Sequence, residues 1–299
     1  MHLSDFLSFP LPLTPSRKGR GDFRVLFTSI TLAVVLISSF VFAVYEKPVH
    51  FFVFGDMGSG LTAQYEIASA MTKMQQKAPA QFVVMLGDNI YPVGDIKSDH
   101  IKKFEKPYAY FLEHKIPFKP VLGNHDVPHQ DDQIKYFGMP GRYYSYSVGP
   151  IQFFALDTNK FNWSEQVWLE KALANSTASW KIAYAHHPIF SSGYHGNNKT
   201  LDASLRPLLE KYGVQLYLAG HDHDYERLSA INGVSYIVSG GGGASIRDFA
   251  EQEFLHPEEH SVVKMVKHHY MIVDADSNSL KVTVLDKNNA VLDQVTLKH

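Results

Sequence analysis

The stretch Leu86-Gly87-Asp88-Asn89-Ile90-Tyr91 decides how this chain is read. An apolar run from Phe82 to Leu86 delivers a glycine, a carboxylate and, three residues further on, a phenol, which is how a buried strand hands ligands to a metal. Asp88 is the residue expected between two metal ions. Gly-Asp pairs also make ordinary turns after strands, so one hexapeptide carries little. The reading gains force because other apolar runs end in the same way.

Runs of strand length recur at His50 to Phe54, Phe82 to Leu86, Phe118 to Leu122, Ile151 to Leu156, Trp180 to Ala185 and Val214 to Ala219, each bounded by glycine, proline or a polar cluster. Between several of them lie helix-like stretches, Thr62 to Gln76, His100 to His114, Ser164 to Ala174 and Ser204 to Tyr212. The alternation argues for an α/β domain with a largely buried, mixed sheet. His269 to Val273, Leu280 to Leu285 and Val291 to Leu297 alternate with turns and read as a β meander.

The residues just past the runs are the informative part. The runs end in Gly55-Asp56-Met57-Gly58, Gly87-Asp88-Asn89-Ile90-Tyr91, Gly123-Asn124-His125-Asp126, His186-His187-Pro188 and Gly220-His221-Asp222-His223. Open α/β sheets bind ligands beyond the carboxyl ends of their strands, so these tips are expected to share one crevice. Glycine before the polar residue lets the backbone turn sharply and approach closely. Taken singly, Asp56 or Asp88 is an Asx-turn carboxylate, Asn124 a loop cap, and His186-His187 a hydrogen-bonded core pair. His221 and His223, two residues apart in an extended segment, share a face and are harder to dismiss. Jointly the tips offer oxygen and imidazole donors and no sulfur, a set suited to borderline or hard metals.

Composition sets the limits. The 299 residues are 45% hydrophobic and carry a formal net charge of −2, so the chain is globular, with no basic face for nucleic acid. There is no cysteine, which excludes disulfides, thiolate sites and a cysteine nucleophile. Residues 1–48 read as a leader: prolines and arginines first, then an uncharged run, Val25 to Tyr45, long enough to cross a bilayer. Basic residues ahead of that run favour export of the chain beyond it. Cleavage after Ala43 and retention as an anchor both fit, giving a periplasmic, secreted or membrane-anchored protein that touches membrane only through residues 25–45 if uncleaved. Residues 49–299 then form a single catalytic domain. Nothing in the sequence sets the oligomeric state.

The ordered tips resemble the calcineurin-like metallophosphoesterases, and more closely their purple acid phosphatase branch in its short, tartrate-resistant form. The common members carry Asp-x-His after the first strand, where this chain has Asp56-Met57-Gly58. The purple branch makes up the missing donor with a tyrosine after the second tip, as at Tyr91. A phenol with a pKa of about 10 ionises at neutral pH only beside a strong, hard cation, so Tyr91 argues for Fe(III). The resemblance extends to His221 through Arg227 and to His195, and covers roughly Val49 to Gly243.

The resemblance implies mixed β-sheets packed as a central sandwich flanked by helices. It also implies a dinuclear acid phosphatase. Asp56, Asp88, Tyr91 and His223 would hold Fe(III); Asp88, Asn124, His186 and His221 would hold a divalent metal, Fe, Zn or Mn. Water ionised by such a pair attacks the phosphorus of a small phosphorylated substrate, a phosphate monoester, and His125 and His195 bind phosphate oxygens or protonate the leaving alcohol. An unperturbed imidazole titrates at about 6.5, which predicts an acidic optimum. A phosphodiester, nucleotide or phytate fits the same site, with loops 92–117 and 191–203 as determinants, and so does a non-catalytic metal-binding protein. Gly240-Gly241-Gly242-Gly243 lacks the Lys-Ser/Thr of a phosphate loop and is expected to be a strand-ending turn. His187 is expected to point away from the metals, Asp126 to hold the His125 ring, and Asp157-Thr158 to orient a ligand or form a turn. His129, His256, His260, His268 and His269 are expected to be exposed or structural.

Overall fold

The computed structural model describes residues 48–250, 255–256 and 259–299. The leader and the uncharged segment at 25–45 lie outside the described residues; among those described, no helix is long and apolar enough to cross a membrane.

In chain order the strands are β1 (Val49–Phe54), β2 (Phe82–Met85), β3 (Phe118–Pro120), β4 (Tyr144–Val148), β5 (Ile151–Ala155), β6 (Trp180–Tyr184), β7 (Leu216–Ala219), β8 (Tyr225–Leu228), β9 (Ser235–Ser239), β10 (Ser261–Met265), β11 (His269–Ala275), β12 (Ser279–Asp286) and β13 (Val291–Lys298). They form a six-stranded sheet, β13-β12-β11-β1-β2-β3, and a seven-stranded sheet, β10-β8-β9-β7-β6-β5-β4. Both are mixed: β1, β2 and β3 run parallel, as do β5, β6, β7 and β9, while the meander β11–β13 closes the first sheet antiparallel to β1.

Strand alternation builds the layers. Phe51 and Val53 face the second sheet, where Phe51 meets Phe153 edge-on at 5.3 Å, whereas Phe52 and Phe54 face the helix Thr62–Lys77 through Ile67 and Met71. Phe154, Ala183 and Tyr217 cover the far face of the second sheet against Leu169, Leu173, Leu205 and Leu209 of its helices. With both faces buried, β1 is apolar from Phe51 to Phe54 rather than alternating. Each fully buried phenylalanine contributes roughly 1.5–3 kcal/mol.

One expected helix is interrupted. The stretch from His100 to His114 is three pieces, Ile96–His100, a wider-wound turn Ile101–Glu105, and Ala109–Glu113, because Pro107 has no amide hydrogen to continue the ladder. The helix expected from Ser204 to Tyr212 is present as Arg206–Lys211 with Pro207 in its first turn, preceded by a separate short helix Lys199–Ser204. The helix Trp163–Ala174 starts on Asn162, whose side chain accepts the Glu165 amide at 3.1 Å.

Candidate metal centre

Parallel strands put their carboxyl ends on one edge of the sandwich. Asp56 follows β1, Asp88 follows β2, Asn124 follows β3, His186 follows β6 and His221 follows β7. Six described non-glycine residues have a positive φ, and three of them are Asp56 (58°), Asp88 (50°) and His221 (71°). Aspartate and histidine tolerate this conformation better than most side chains, and strain of this kind collects where a site demands it. Here it bends each strand end into the crevice.

Glycine is required beside them. A Cβ on Gly123 would sit 2.0 Å from Asp88 Oδ1, and one on Gly58 would sit 1.9 Å from the Asn89 carbonyl oxygen. Position 58, where common members of the resembled family carry a histidine, therefore has no room for any side chain.

The donors gather in two groups. In the first, Tyr91 Oη lies 3.0 Å from Asp56 Oδ1 and 3.0 Å from His223 Nε2, and His223 Nε2 lies 3.4 Å from Asp56 Oδ1. In the second, His186 Nε2 lies 3.0 Å from Asn124 Oδ1, 3.1 Å from His221 Nδ1 and 3.5 Å from Asp88 Oδ1. Metal–ligand bonds of about 2.1 Å set neighbouring donors of an octahedron about 3.0 Å apart and those of a tetrahedron about 3.4 Å apart. Both groups therefore fit a cation. His223 Nδ1 bonds the Ser245 carbonyl oxygen at 2.7 Å and His186 Nδ1 that of Leu86 at 2.9 Å, which leaves each Nε2 as the lone-pair nitrogen facing the group.

Electrostatics agree with that fit. Burial, then the neighbouring imidazoles of His186, His187 and His195, drive His221 far below the ordinary histidine pKa, keeping it neutral and able to ligate. Burial alone would lower His186 too, but the Asp88 and Asp56 carboxylates overcome it and raise its pKa. Burial, followed by Asp56 and Asp88, drives the Tyr91 phenol far above its usual range. Only a strong cation at the site reverses that order.

The structure brings together every residue expected at the site, with differences of detail. His221 is left-handed rather than extended, so its ring and that of His223 part company, one going to each donor group. His187 does not point away: β6 has ended at Tyr184, alternation no longer applies, and its ring lies 4.4 Å from that of His221 with Nδ1 on Thr158 Oγ1 at 2.9 Å. Burial, then His186, lowers its pKa to about 3. Asp126 does not hold the His125 ring, whose Nδ1 is 2.6 Å from the Pro92 carbonyl oxygen. Instead the buried Asp126 carboxylate accepts the backbone amides of Asn89, Ile90 and Gly123 and the Gln133 side chain, so it ties the second tip to the third. Burial, then the Asp88 charge, raises its pKa to about 6.

Asp157 pairs with Arg142, and Thr158 orients His187. The glycine run is a turn packed against the first tip, with Gly242 N on the Gly55 carbonyl oxygen at 2.9 Å. His269 is buried and structural, bonding Ser239 Oγ at 2.9 Å. Sequence reasoning missed Asp222, whose buried carboxylate accepts both the His195 backbone amide and Nδ1 at 2.8 Å, and Arg247, whose Nη1 is 3.2 Å from His195 Nε2. Neither carries a local signal beyond Asp222 standing between the two histidines.

A sandwich of mixed sheets with oxygen and imidazole donors gathered at its parallel strand tips defines a metal-dependent phosphoric ester hydrolase. The chain belongs to the calcineurin-like phosphoesterase family, whose model matches residues 49–225, and its curated relatives place it in the purple acid phosphatase branch. It is 30% identical over 251 residues to purple acid phosphatase 3 of Arabidopsis thaliana, across 72% of this chain and 68% of that protein. It is 30% identical over 234 residues to tartrate-resistant acid phosphatase type 5 of Homo sapiens, across 64% and 72% respectively. Among solved structures, a purple acid phosphatase from yellow lupin (Lupinus luteus) seeds shares the fold with a TM-score of 0.72 at 19% identity, over 85% of this chain and 54% of that one. GAP50, the anchor in the inner membrane complex of Plasmodium, also shares it with a TM-score of 0.72 at 21% identity, over 84% and 89%.

Proposed function

We propose that this chain is an acid phosphatase that hydrolyses phosphate monoesters with a dinuclear metal centre held by Asp56, Asp88, Tyr91, Asn124, His186, His221 and His223. One observation carries the reading: a donor atom from each of Asp56, Asp88 and His186 lies within 4.8 Å of the other two. That proximity supports a single centre in which Asp88 stands between the two donor groups. The phenol and carboxylates of the first group favour Fe(III), and the amide oxygen and imidazoles of the second favour divalent Fe, Zn or Mn. When bound, such a pair lowers the pKa of water and offsets the charge of the phosphoryl oxygens.

The protein's own groups do the rest. His125 is held by Pro92 at Nδ1, and its Nε2 lies 3.9 Å from Asp88 Oδ2 at the open side of the centre. His195 is held by Asp222 at Nδ1 and stacks on His221 with ring centres 3.9 Å apart. Each is placed to donate to a phosphoryl or leaving oxygen. In this reading residues 49–299 form the catalytic domain, and the uncharged run at 25–45 behind basic residues exports it as a cleaved signal or an anchor.

The test is hydrolysis of phenyl phosphate and bis(phenyl) phosphate from pH 4 to 9. Monoester turnover with an acidic optimum is expected, and His125→Ala keeps both metals while losing roughly 100-fold or more in kcat. A metal-loaded protein that cleaves neither ester overturns the proposal.

A further inference from the structure

Arg247 stands at the mouth of the centre and, among the described residues, faces no carboxylate partner. The other described arginines, Arg142, Arg206 and Arg227, are each paired with a carboxylate. Arg247 instead lies over the exposed Tyr194 ring, 5.1 Å from its centre, and reaches His195 Nε2 with Nη1 at 3.2 Å. Among the described residues no carboxylate forms an ion pair with it.

Its position is fixed by backbone bonds that a side-chain change leaves in place. Ala244 N donates to the Asp56 carbonyl oxygen at 2.8 Å, Arg247 N to that of His223 at 3.1 Å, and Ala250 N to that of Ser192 at 3.0 Å. The loop is therefore moored to the metal-side strands at one end and to the His195 loop at the other. Asp222 occupies both the amide and Nδ1 of His195, and Ser191 Oγ holds its other oxygen at 2.5 Å. Nε2 is thus the one ring nitrogen Asp222 leaves open; as a neutral acceptor it takes the guanidinium N–H, and it must give up that bond to donate to a substrate oxygen. A cavity of about 310 Å³ opens on His187, His195 and His221, and its lining among the described residues includes Lys199 and no carboxylate.

A guanidinium has five donors in a fixed fork, matched to carboxylate and phosphate oxygens. One of those donors is engaged with His195. Resting on the phosphatase reading, we propose that Arg247 is a specificity-determining residue that binds a second anionic group, carboxylate or phosphate, on the leaving group of the substrate. The enzyme then favours phosphomonoesters whose leaving group is itself negatively charged.

The experiment compares 4-carboxyphenyl phosphate with phenyl phosphate in the full-length, metal-loaded protein and in Arg247→Ala and Arg247→Lys. Calorimetry with the corresponding phosphonates, which cannot be hydrolysed, supplies a second readout. Wild type is expected to favour the carboxylated ester roughly tenfold in kcat/KM, mainly through KM, and its phosphonate by a similar ratio in Kd. The preference shrinks as salt rises. Arg247→Ala brings both ratios close to one at unchanged metal content, and Arg247→Lys restores part of them. Hydrolysis of both esters with ratios that Arg247→Ala does not change overturns this proposal alone. Absence of hydrolysis of either ester overturns the phosphatase reading instead.

Discussion

Asp126 is the residue whose removal tests most sharply how the strand tips are held. Its carboxylate is fully buried and is the sole acceptor for the backbone amides of Asn89, Ile90 and Gly123, at 3.0, 3.2 and 2.8 Å. The side-chain amides of Asn89 and Gln133, which also donate to it, keep other partners in the Val121 and Gly94 carbonyl oxygens. Asp126→Ala thus orphans three buried N–H groups. Each orphan costs about 1–3 kcal/mol, and water entering the void recovers part of it, so a loss of at least about 3 kcal/mol is expected. In a domain of this size that lowers Tm by at least about 6 °C. Asp126→Asn keeps one acceptor oxygen and falls between. Because the orphaned amides belong to the tips that carry Asp88, Tyr91 and Asn124, metal affinity is expected to drop roughly 10- to 100-fold. Thermal and denaturant unfolding of the metal-free protein, with metal titration by calorimetry, measures both effects. A Tyr91-bearing tip that stays put, seen as Asp126→Ala within about 1 kcal/mol of wild type at unchanged metal affinity, refutes the reasoning.

Gly58→Ala drives a Cβ into the Asn89 backbone and is expected to cost at least about 2 kcal/mol; a Gly58→His protein with wild-type stability in a denaturant melt contradicts the crowding found there. Glu165 is buried, and burial first, then Asp157, lifts its pKa from 4.5 to about 8. Its charged form is thus disfavoured by folding, so stability is expected to fall as pH rises from 4.5 to about 8, by up to about 5 kcal/mol. Glu165→Gln should flatten that slope in melts across the window, and a wild-type profile already flat there counts against it. Tyr91→Phe is expected to abolish the visible absorption of a ferric phenolate and to weaken iron retention while zinc still binds; an unchanged spectrum removes Tyr91 from the centre.

The strands were legible because burial on both faces makes β2 and β7, β1 from Phe51 and β6 from Ile182 continuous apolar runs, and because glycine followed by a polar residue marks most of the tips. The strands that escaped notice are β4, β8, β9 and β10; β4 and β10 alternate between part-buried and exposed positions, so neither shows as an apolar run. Pro107 signalled a helix break that apolar spacing alone conceals. The family resemblance gave the division of the donors into two groups, but its geometric cause, the left-handed backbone at His221 that parts its ring from that of His223, is something no sequence spacing reveals. Asp126, Asp222 and Arg247 act through partners between 27 and 52 residues away for their longest contacts to His195 and the second tip, so only tertiary structure exposes them.

Separate strand tips must together form one centre for two unlike cations. An element-resolved metal count on the purified protein addresses this directly. Two metals per chain, one of them iron, are expected. A single metal per chain, or zinc filling both positions, contradicts it.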